Sequence, residues 1–264
     1  RLPMRCTPSG AWLPPAAGKH VLCEKPLATS EAEAISMFET AREHGVWLME
    51  AFMYRFHPQT RLVQRLLSEG VVGTRQLIRA SFGFAVSDPA NVRLSADLAG
   101  GALMDVGCYC VNAARWAAGV RPVRVNAAAR WAASGVDETL AATIEYPNGT
   151  IAQIACSLAV SRHHYLQIAG SNGLIELDQP FTLLPDRASA IRIQRGTTDQ
   201  HNEMLHVDSV DHFRLEAEGF AALIAAGHQD DGNLPSMPLV ETLDNAATIT
   251  ALLASARSGL WVEV

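Results

Sequence analysis

The sequence predicts a piece of parallel α/β structure followed by a larger, mainly antiparallel α+β domain. Three observations carry this. A strand, a capped helix and a second strand run in succession between His20 and Glu50. A series of strand-like segments follows between Val123 and Leu177, punctuated by Asn148-Gly149 and Asn172-Gly173, dipeptides that favour tight hairpins. Two amphipathic segments, Phe213–Ala226 and Leu239–Ser258, then close the chain.

Residues 1–18, RLPMRCTPSGAWLPPAAG, contain four prolines, no hydrophobic period and no cap pattern, so no element is expected there. His20–Glu24 reads as a short strand. Ser30 and Glu33 have capping-box spacing, and Ala34, Ile35, Phe38 and Ala41 recur at helical intervals. Gly45 is placed to end that helix, and Val46–Glu50 is a second apolar strand. Strand, helix, strand is a βαβ unit, hence a parallel pair. The character changes at Met53–Pro58. A helix is expected over Pro58–Glu69, a strand over Gln76–Phe84 and a helix from Asp105 to Trp116. Strands are then expected at Val123–Trp131, Glu138–Tyr146, Thr150–Ala159, Tyr165–Ala169 and Gly173–Leu177.

Composition bounds the function. With 264 residues, 48% of them apolar and 18% charged, the chain has material for a core and does not read as disordered. Its 21 basic residues are outnumbered by 27 acidic ones, giving a net charge of −6, so nothing points to nucleic acid. No apolar run approaches the roughly 20 residues of a membrane span, and the start lacks the order of a signal peptide. Five scattered cysteines suggest reduced thiols and a cytoplasmic location.

Two stretches could carry chemistry. Lys25, in Glu24-Lys25-Pro26, follows a parallel strand at the sheet edge where α/β proteins bind ligands. Position alone also fits an ordinary surface lysine. Asp105 and Tyr109, in GGALMDVGCY, are four apart and would share a helix face, so an acid and a phenol could act together on a proton. Asp105 could equally be a helix N-terminal residue favoured by the dipole. Cys108 and Cys110 lack further ligands at metal-site spacing, and the neighbours His163 and His164 point to opposite faces of a strand, so no metal site is expected. Trp47, Trp116 and Trp131 read as core or interface.

Together, GKHVLCEKPLA, EAFMYRFHP, NVRLS before GGALMDVGCY, and the ending SARSGLWVEV resemble the glucose–fructose oxidoreductase / inositol dehydrogenase family. The branch they resemble is that of trans-dihydrodiol dehydrogenase and NADP-dependent xylose dehydrogenase. The resemblance implies a remnant of a dinucleotide-binding (Rossmann) sheet over residues 1–54 and a substrate-binding and oligomerisation domain over 55–264. It implies NADP or NAD as cofactor and hydride transfer with a sugar, polyol or cyclic diol. Lys25, Asp105 and Tyr109 match the family's catalytic positions. Glu24, Lys25, Pro26 (after a bond that is typically cis in such proteins) and Arg93 match positions on the cofactor side. Arg55 and His57 match the polar lining of the seam. A homodimer through the open face of the C-terminal sheet is also implied. A phenol with a pKa near ~10 needs a nearby cation to act as a base at neutral pH, and Lys25 is expected to be that cation.

The sequence departs from the family at its start. No G-x-G-x-x-G occurs, and Gly170-Ser171-Asn172-Gly173 reads as a hairpin turn rather than a phosphate loop. The chain is therefore expected to be N-terminally truncated. Residues 1–17 are expected to be non-native: Pro3–Trp12, back-translated and read two bases on, resembles the helix that relatives carry before GKHVLCEKP. The alternative expectation is a non-catalytic chain serving only as a sheet-mediated oligomerisation module, because pyrophosphate needs the backbone donors of the missing turn.

Overall fold

The computed structural model describes residues 17–183, 188–198, 202–227 and 236–264. The expectation for residues 1–17 lies almost wholly outside them. Strand β1 (Val21–Glu24) pairs in parallel with β2 (Leu48–Ala51), and helix α1 (Glu31–Glu43) connects them. Ser30 caps α1 by accepting from the Glu33 N–H at 3.2 Å. The return half of the expected box lands one residue earlier, where the Glu33 carboxylate takes the Thr29 N–H at 2.8 Å. Gly45, at φ 64°, ends the helix as its spacing predicts.

A 3₁₀ turn (Met53–Phe56) leads into α2 (Pro58–Ser68), and then the second sheet begins. It holds β3 (Arg75–Gly83), β4 (Arg124–Trp131), β5 (Asp137–Glu145), β6 (Ile151–Ser157), β7 (His163–Gly170), β8 (Gly173–Leu177), β9 (Ser189–Arg195), β10 (Asn202–Val207) and β11 (Val262–Glu263). The spatial order is β10-β9-β8-β7-β3-β6-β5-β4-β11. Every pairing is antiparallel except that of β3 with β6, at the centre. The sheet is thus mainly antiparallel, as expected, but mixed. The central pair joins segments separated by two strands and a run of helical elements, so no hairpin signal announces it. β9, β10 and β11 were not anticipated.

Alternation fixes the faces. In β6, Ala152, Ile154 and Cys156 are buried while Ile151, Gln153 and Ala155 are exposed. The buried face carries α3 (Cys108–Ala118) and α5 (Leu239–Ser258), while α4 (His212–Ala226) packs on the Met53–Phe56 turn. Ala113, Ala114, Ala117 and Ala118 leave α3 almost without solvent contact. The Asn148-Gly149 hairpin forms, with Gly149 at φ 84°. The other hairpin forms over Gly170-Ser171-Asn172-Gly173 as expected, with Gly170 paired to Gly173 and Ser171-Asn172 at the tip.

The open face is not a large apolar patch. Ser81, Ala155, Ala141 and Ala128 form a row of small side chains across four strands, flanked by the ion pairs Arg124–Glu145, Arg130–Glu138 and Arg192–Glu176. Among the described residues, no helix is long and apolar enough to cross a membrane, and no cluster of three or more His, Cys, Asp or Glu could hold a metal.

Candidate active site

Lys25 follows β1 directly, and its peptide bond to the buried Pro26 is cis, as in the family it resembles. The turn is held from below. The Leu27 N–H donates to Glu50 Oε1 at 2.9 Å, and Glu50 is buried in β2. Burial pushes the Glu50 carboxyl up to about 7.

The second half of the site comes from GGALMDVGCY. The helix there starts earlier than predicted, with a π-helical turn over Leu103–Gly107 leading into α3. Local contacts explain the irregular start. Gly101 has φ +120°, and a Cβ on it would fall 2.2 Å from Asp137 Oδ1. Asp137 in turn accepts the Leu103 N–H at 2.7 Å, capping the stretch. A Cβ on Gly107 would fall 2.7 Å from Cys156 Sγ, so this glycine lets the turn lie on β6.

Asp105 is thereby presented to two cations. Lys25 Nζ hydrogen-bonds the Asp105 carbonyl oxygen and lies 3.4 Å from its Oδ1. Arg93 Nε is 2.5 Å from Oδ2, with its guanidinium over the Phe84 ring. Both lysine and aspartate are mostly buried, so solvent screens the pair weakly. Lys25 Nζ also lies 4.7 Å from the centroid of the Tyr109 ring. Phe52, Phe82 and Phe181 pack around that ring at 5.3–5.6 Å.

The Tyr109 hydroxyl points elsewhere than expected. It donates to Met53 Sδ at 3.4 Å. Burial holds the phenol well above its ordinary pKa, with Glu24 and Asp105 acting in the same direction. Lys25 meets the ring face rather than the hydroxyl, so its charge does not offset the burial. The group rests as a neutral phenol, and the burial that raises its pKa also makes it a weaker acid, so it holds its proton rather than starting as a base.

Glu24 is exposed at the end of β1. Arg55 and His57 are engaged by the protein. Arg55 donates to the Ser236 carbonyl at 2.7 Å and pairs with Glu241 at 2.7 Å. His57, 1% exposed, accepts the Gln59 N–H through Nδ1 and so caps α2. Burial lowers its pKa to about 4. Three residues of the surroundings are given no role by the sequence: Glu50, although it opens EAFMYRFHP, Asp137 and Glu216. The signal available for the first was an acid inside an apolar strand, and for the last an acid on the buried face of α4.

The first helix N-terminus is closed to anions. Ser30 takes the Glu33 N–H, and the acidic Glu31 and Glu33 of the first turn repel negative charge. Among the described residues, no Gly-rich strand-to-helix turn offers a cradle for pyrophosphate.

Comparison with known proteins agrees with this architecture. Residues 15–52 match an oxidoreductase family model with an NAD-binding Rossmann fold, and residues 60–176 match the GFO/IDH/MocA C-terminal domain. A D-xylose 1-dehydrogenase (NADP(+)) of Haloferax volcanii is 35% identical over 257 residues, covering 96% of this chain and 76% of that protein. A trans-1,2-dihydrobenzene-1,2-diol dehydrogenase of Mus musculus is 35% identical over 167 residues, covering 62% of this chain and 49% of its own length. The crystal structure of an aldose-aldose oxidoreductase from Caulobacter crescentus, complexed with glycerol, superposes with a TM-score of 0.85 at 27% identity, covering 95% of this chain and 73% of that one. A 3-ketoreductase from Actinomadura kijaniata in complex with NADP and TDP-benzene gives 0.81 at 30% identity, covering 91% and 72%. Identity at this level over nearly the whole chain, on the same mixed-sheet fold, makes this protein a member of the GFO/IDH/MocA family of NAD(P)-dependent oxidoreductases.

Proposed function

We propose that the chain is a dehydrogenase of a sugar, polyol or cyclic diol, with its reacting centre between Lys25 and Tyr109. One observation carries the reading: the Lys25 ammonium is fixed on Asp105 while lying against the Tyr109 ring. NADP or NAD supplies the hydride acceptor. Glu24, Lys25, Pro26 and Arg93 suit the nicotinamide end, since they combine a sheet edge with two cations. The phosphate end has no counterpart among the described residues.

In this reading Lys25 stabilises negative charge developing on the substrate oxygen, where a positioned charge is worth most. Asp105 positions Lys25 by holding its carbonyl and carboxylate on the ammonium. Tyr109, as a neutral phenol, gives its proton to the substrate oxygen when a carbonyl is reduced, the phenolate so formed takes the hydroxyl proton when the alcohol is oxidised, and its aromatic surround keeps water from that oxygen. Arg93 orients the Asp105 carboxylate from its other oxygen. Glu50 fixes the turn that carries Lys25.

The same reading divides the chain at residues 54 and 55, with substrate and oligomerisation functions in 55–264. It includes a homodimer through the open sheet face, supported by the flat row Ser81–Ala155–Ala141–Ala128. It includes a cytoplasmic location, supported by the free buried thiols Cys108, Cys110 and Cys156. Isothermal titration with NADP⁺ and NAD⁺, followed by assay of D-xylose oxidation, tests the reading. Binding with turnover is expected. A folded chain that binds neither nucleotide and oxidises no sugar or diol would leave the oligomerisation module as the function.

A further inference from the structure

We infer that the Glu216 carboxyl is a substrate-hydroxyl site in the Tyr109 pocket, and that it selects polyhydroxylated substrates over diols whose remainder is hydrocarbon. The inference rests on the dehydrogenase reading above and goes beyond it by naming the recognition group.

The placement of Glu216 follows from the packing of α4. His212, Glu216, Phe220 and Leu223 are buried on one face of that helix. Gly219 shares the face and lies against the Phe56 ring so closely that a Cβ would come within 2.6 Å of it. At the other end of the face, the His212 ring is 6.4 Å from that of His57. Glu216 lies between these two contacts, so it is turned towards the Met53–His57 segment. Met53 is the residue that accepts the Tyr109 hydroxyl. The carboxyl therefore packs on the 3₁₀ turn that carries Met53, within electrostatic reach of both Tyr109 and Glu24.

Its chemistry is unfinished. Glu216 is 5% exposed, and its Oε1 has no hydrogen-bond partner. His212 Nδ1, one turn away on the same face, has none either. The cations nearest the site are engaged elsewhere, Lys25 and Arg93 on Asp105 and Arg55 on Glu241. Burial, reinforced by the Glu24 charge, raises the Glu216 carboxyl to about 8. At neutral pH it is a carboxylic acid with one donor and one acceptor, the complement of a hydroxyl group. Buried polar groups left unpaired by a ligand are what let a site reject it, so an apolar diol leaves this carboxyl unsatisfied and a sugar does not.

The test is binding of D-xylose and of trans-1,2-cyclohexanediol, read by saturation-transfer NMR with and without NADP⁺. The wild-type protein is expected to prefer D-xylose. Glu216→Leu should lower D-xylose affinity about tenfold, as expected for one lost hydrogen bond to a buried partner, and leave cyclohexanediol and NADP⁺ binding unchanged. Glu216→Gln, close to isosteric, should fall between the two and serves should the leucine variant not fold. A preference that neither variant moves would overturn the inference, as would a wild-type protein that prefers cyclohexanediol or binds neither. Failure of the dehydrogenase reading shows separately, as absence of NADP⁺ binding.

Discussion

The helical stretch Leu103–Ala118 carries a cluster of charge at each end, and the two ends are finished differently. At the C-terminal end Arg115 bonds Glu241 at 3.2 Å and Asp244 at 2.8 Å, while Arg55 takes the other Glu241 oxygen. Arg121 links Asp244 to Glu31 at the start of α1. Each carboxylate oxygen named there meets a cation, and the chain of pairs ties the small parallel sheet to α3 and α5. At the N-terminal end Asp105 is equally well served by Lys25 and Arg93, but around it Glu50 Oε2 and Glu216 Oε1 have no partner. A closed network holds elements in register. Buried polar atoms without a partner occur near both ends, Glu50 Oε2 and Glu216 Oε1 at the first and Tyr146 Oη, Thr242 Oγ1 and the Asn245 amide at the second, so what sets the first end apart is the pair of cations gathered on Asp105 beside the Tyr109 ring.

The largest test of this contrast is Lys25→Met. Turnover should fall by about 10²–10⁴-fold through loss of charge stabilisation and proton handling, with nucleotide affinity and unfolding midpoint little changed. Near-normal kcat would make the N-terminal cluster a joint like the other. At the C-terminal end the reverse is expected. Asp244→Ala leaves Arg115 buried and short of a partner, and should cost about 3–5 kcal/mol of stability, seen in urea unfolding. A loss below 1 kcal/mol would mean the network is dispensable.

The third test uses pH. Glu50 titrates at about 7 in the folded protein against an ordinary value of 4.5. The folded state thus holds this proton more tightly than the unfolded one. The associated stability is complete below pH 4.5 and is lost as pH rises towards 7. Glu50→Gln keeps an acceptor for the Leu27 N–H without that liability. Its stability relative to wild type should improve between pH 5 and pH 8, by as much as about 3 kcal/mol; a difference independent of pH would remove Glu50 from the set of uncompensated groups. The smallest effect is expected for Glu31→Gln. The Arg121–Glu31 pair is more than a third exposed on both sides, so its removal should shift unfolding by no more than about 1 kcal/mol, and less in high salt.

The site was legible where chemistry coincides with a local run of residues. Lys25, Asp105, Tyr109 and Arg93 all lie in stretches that could be singled out and matched, and the structure gathers them. Arg55 and His57 lie in an equally recognisable stretch, yet their polar atoms face inward to protein partners, which a motif does not reveal. Glu50 opens the recognisable EAFMYRFHP stretch, but its place beneath the Lys25 turn was not legible, and Glu216 was not legible at all. An acid in an apolar strand and an acid on a helix face look like surface residues until the packing that buries them is known. The tuning of Tyr109 also inverted, because whether a lysine meets a phenol at its oxygen or across its ring depends on angles between separate elements.

What the sequence by itself determined is what neighbouring residues settle between themselves: the Ser30 cap, the glycine stop at Gly45, the hairpin at Asn148-Gly149, and the two-residue alternation that gives each strand a buried face. What the tertiary structure alone decided is the parallel pairing of β3 with β6, the addition of β9, β10 and β11 to the sheet edges, and the arrival of Glu216 on the 3₁₀ turn that carries Met53. The physical reason is range. Caps and turns are closed by hydrogen bonds within a few residues, so their signal is local. Pairings across long loops are chosen by the burial of whole faces, a property that many segments share and that no single segment specifies.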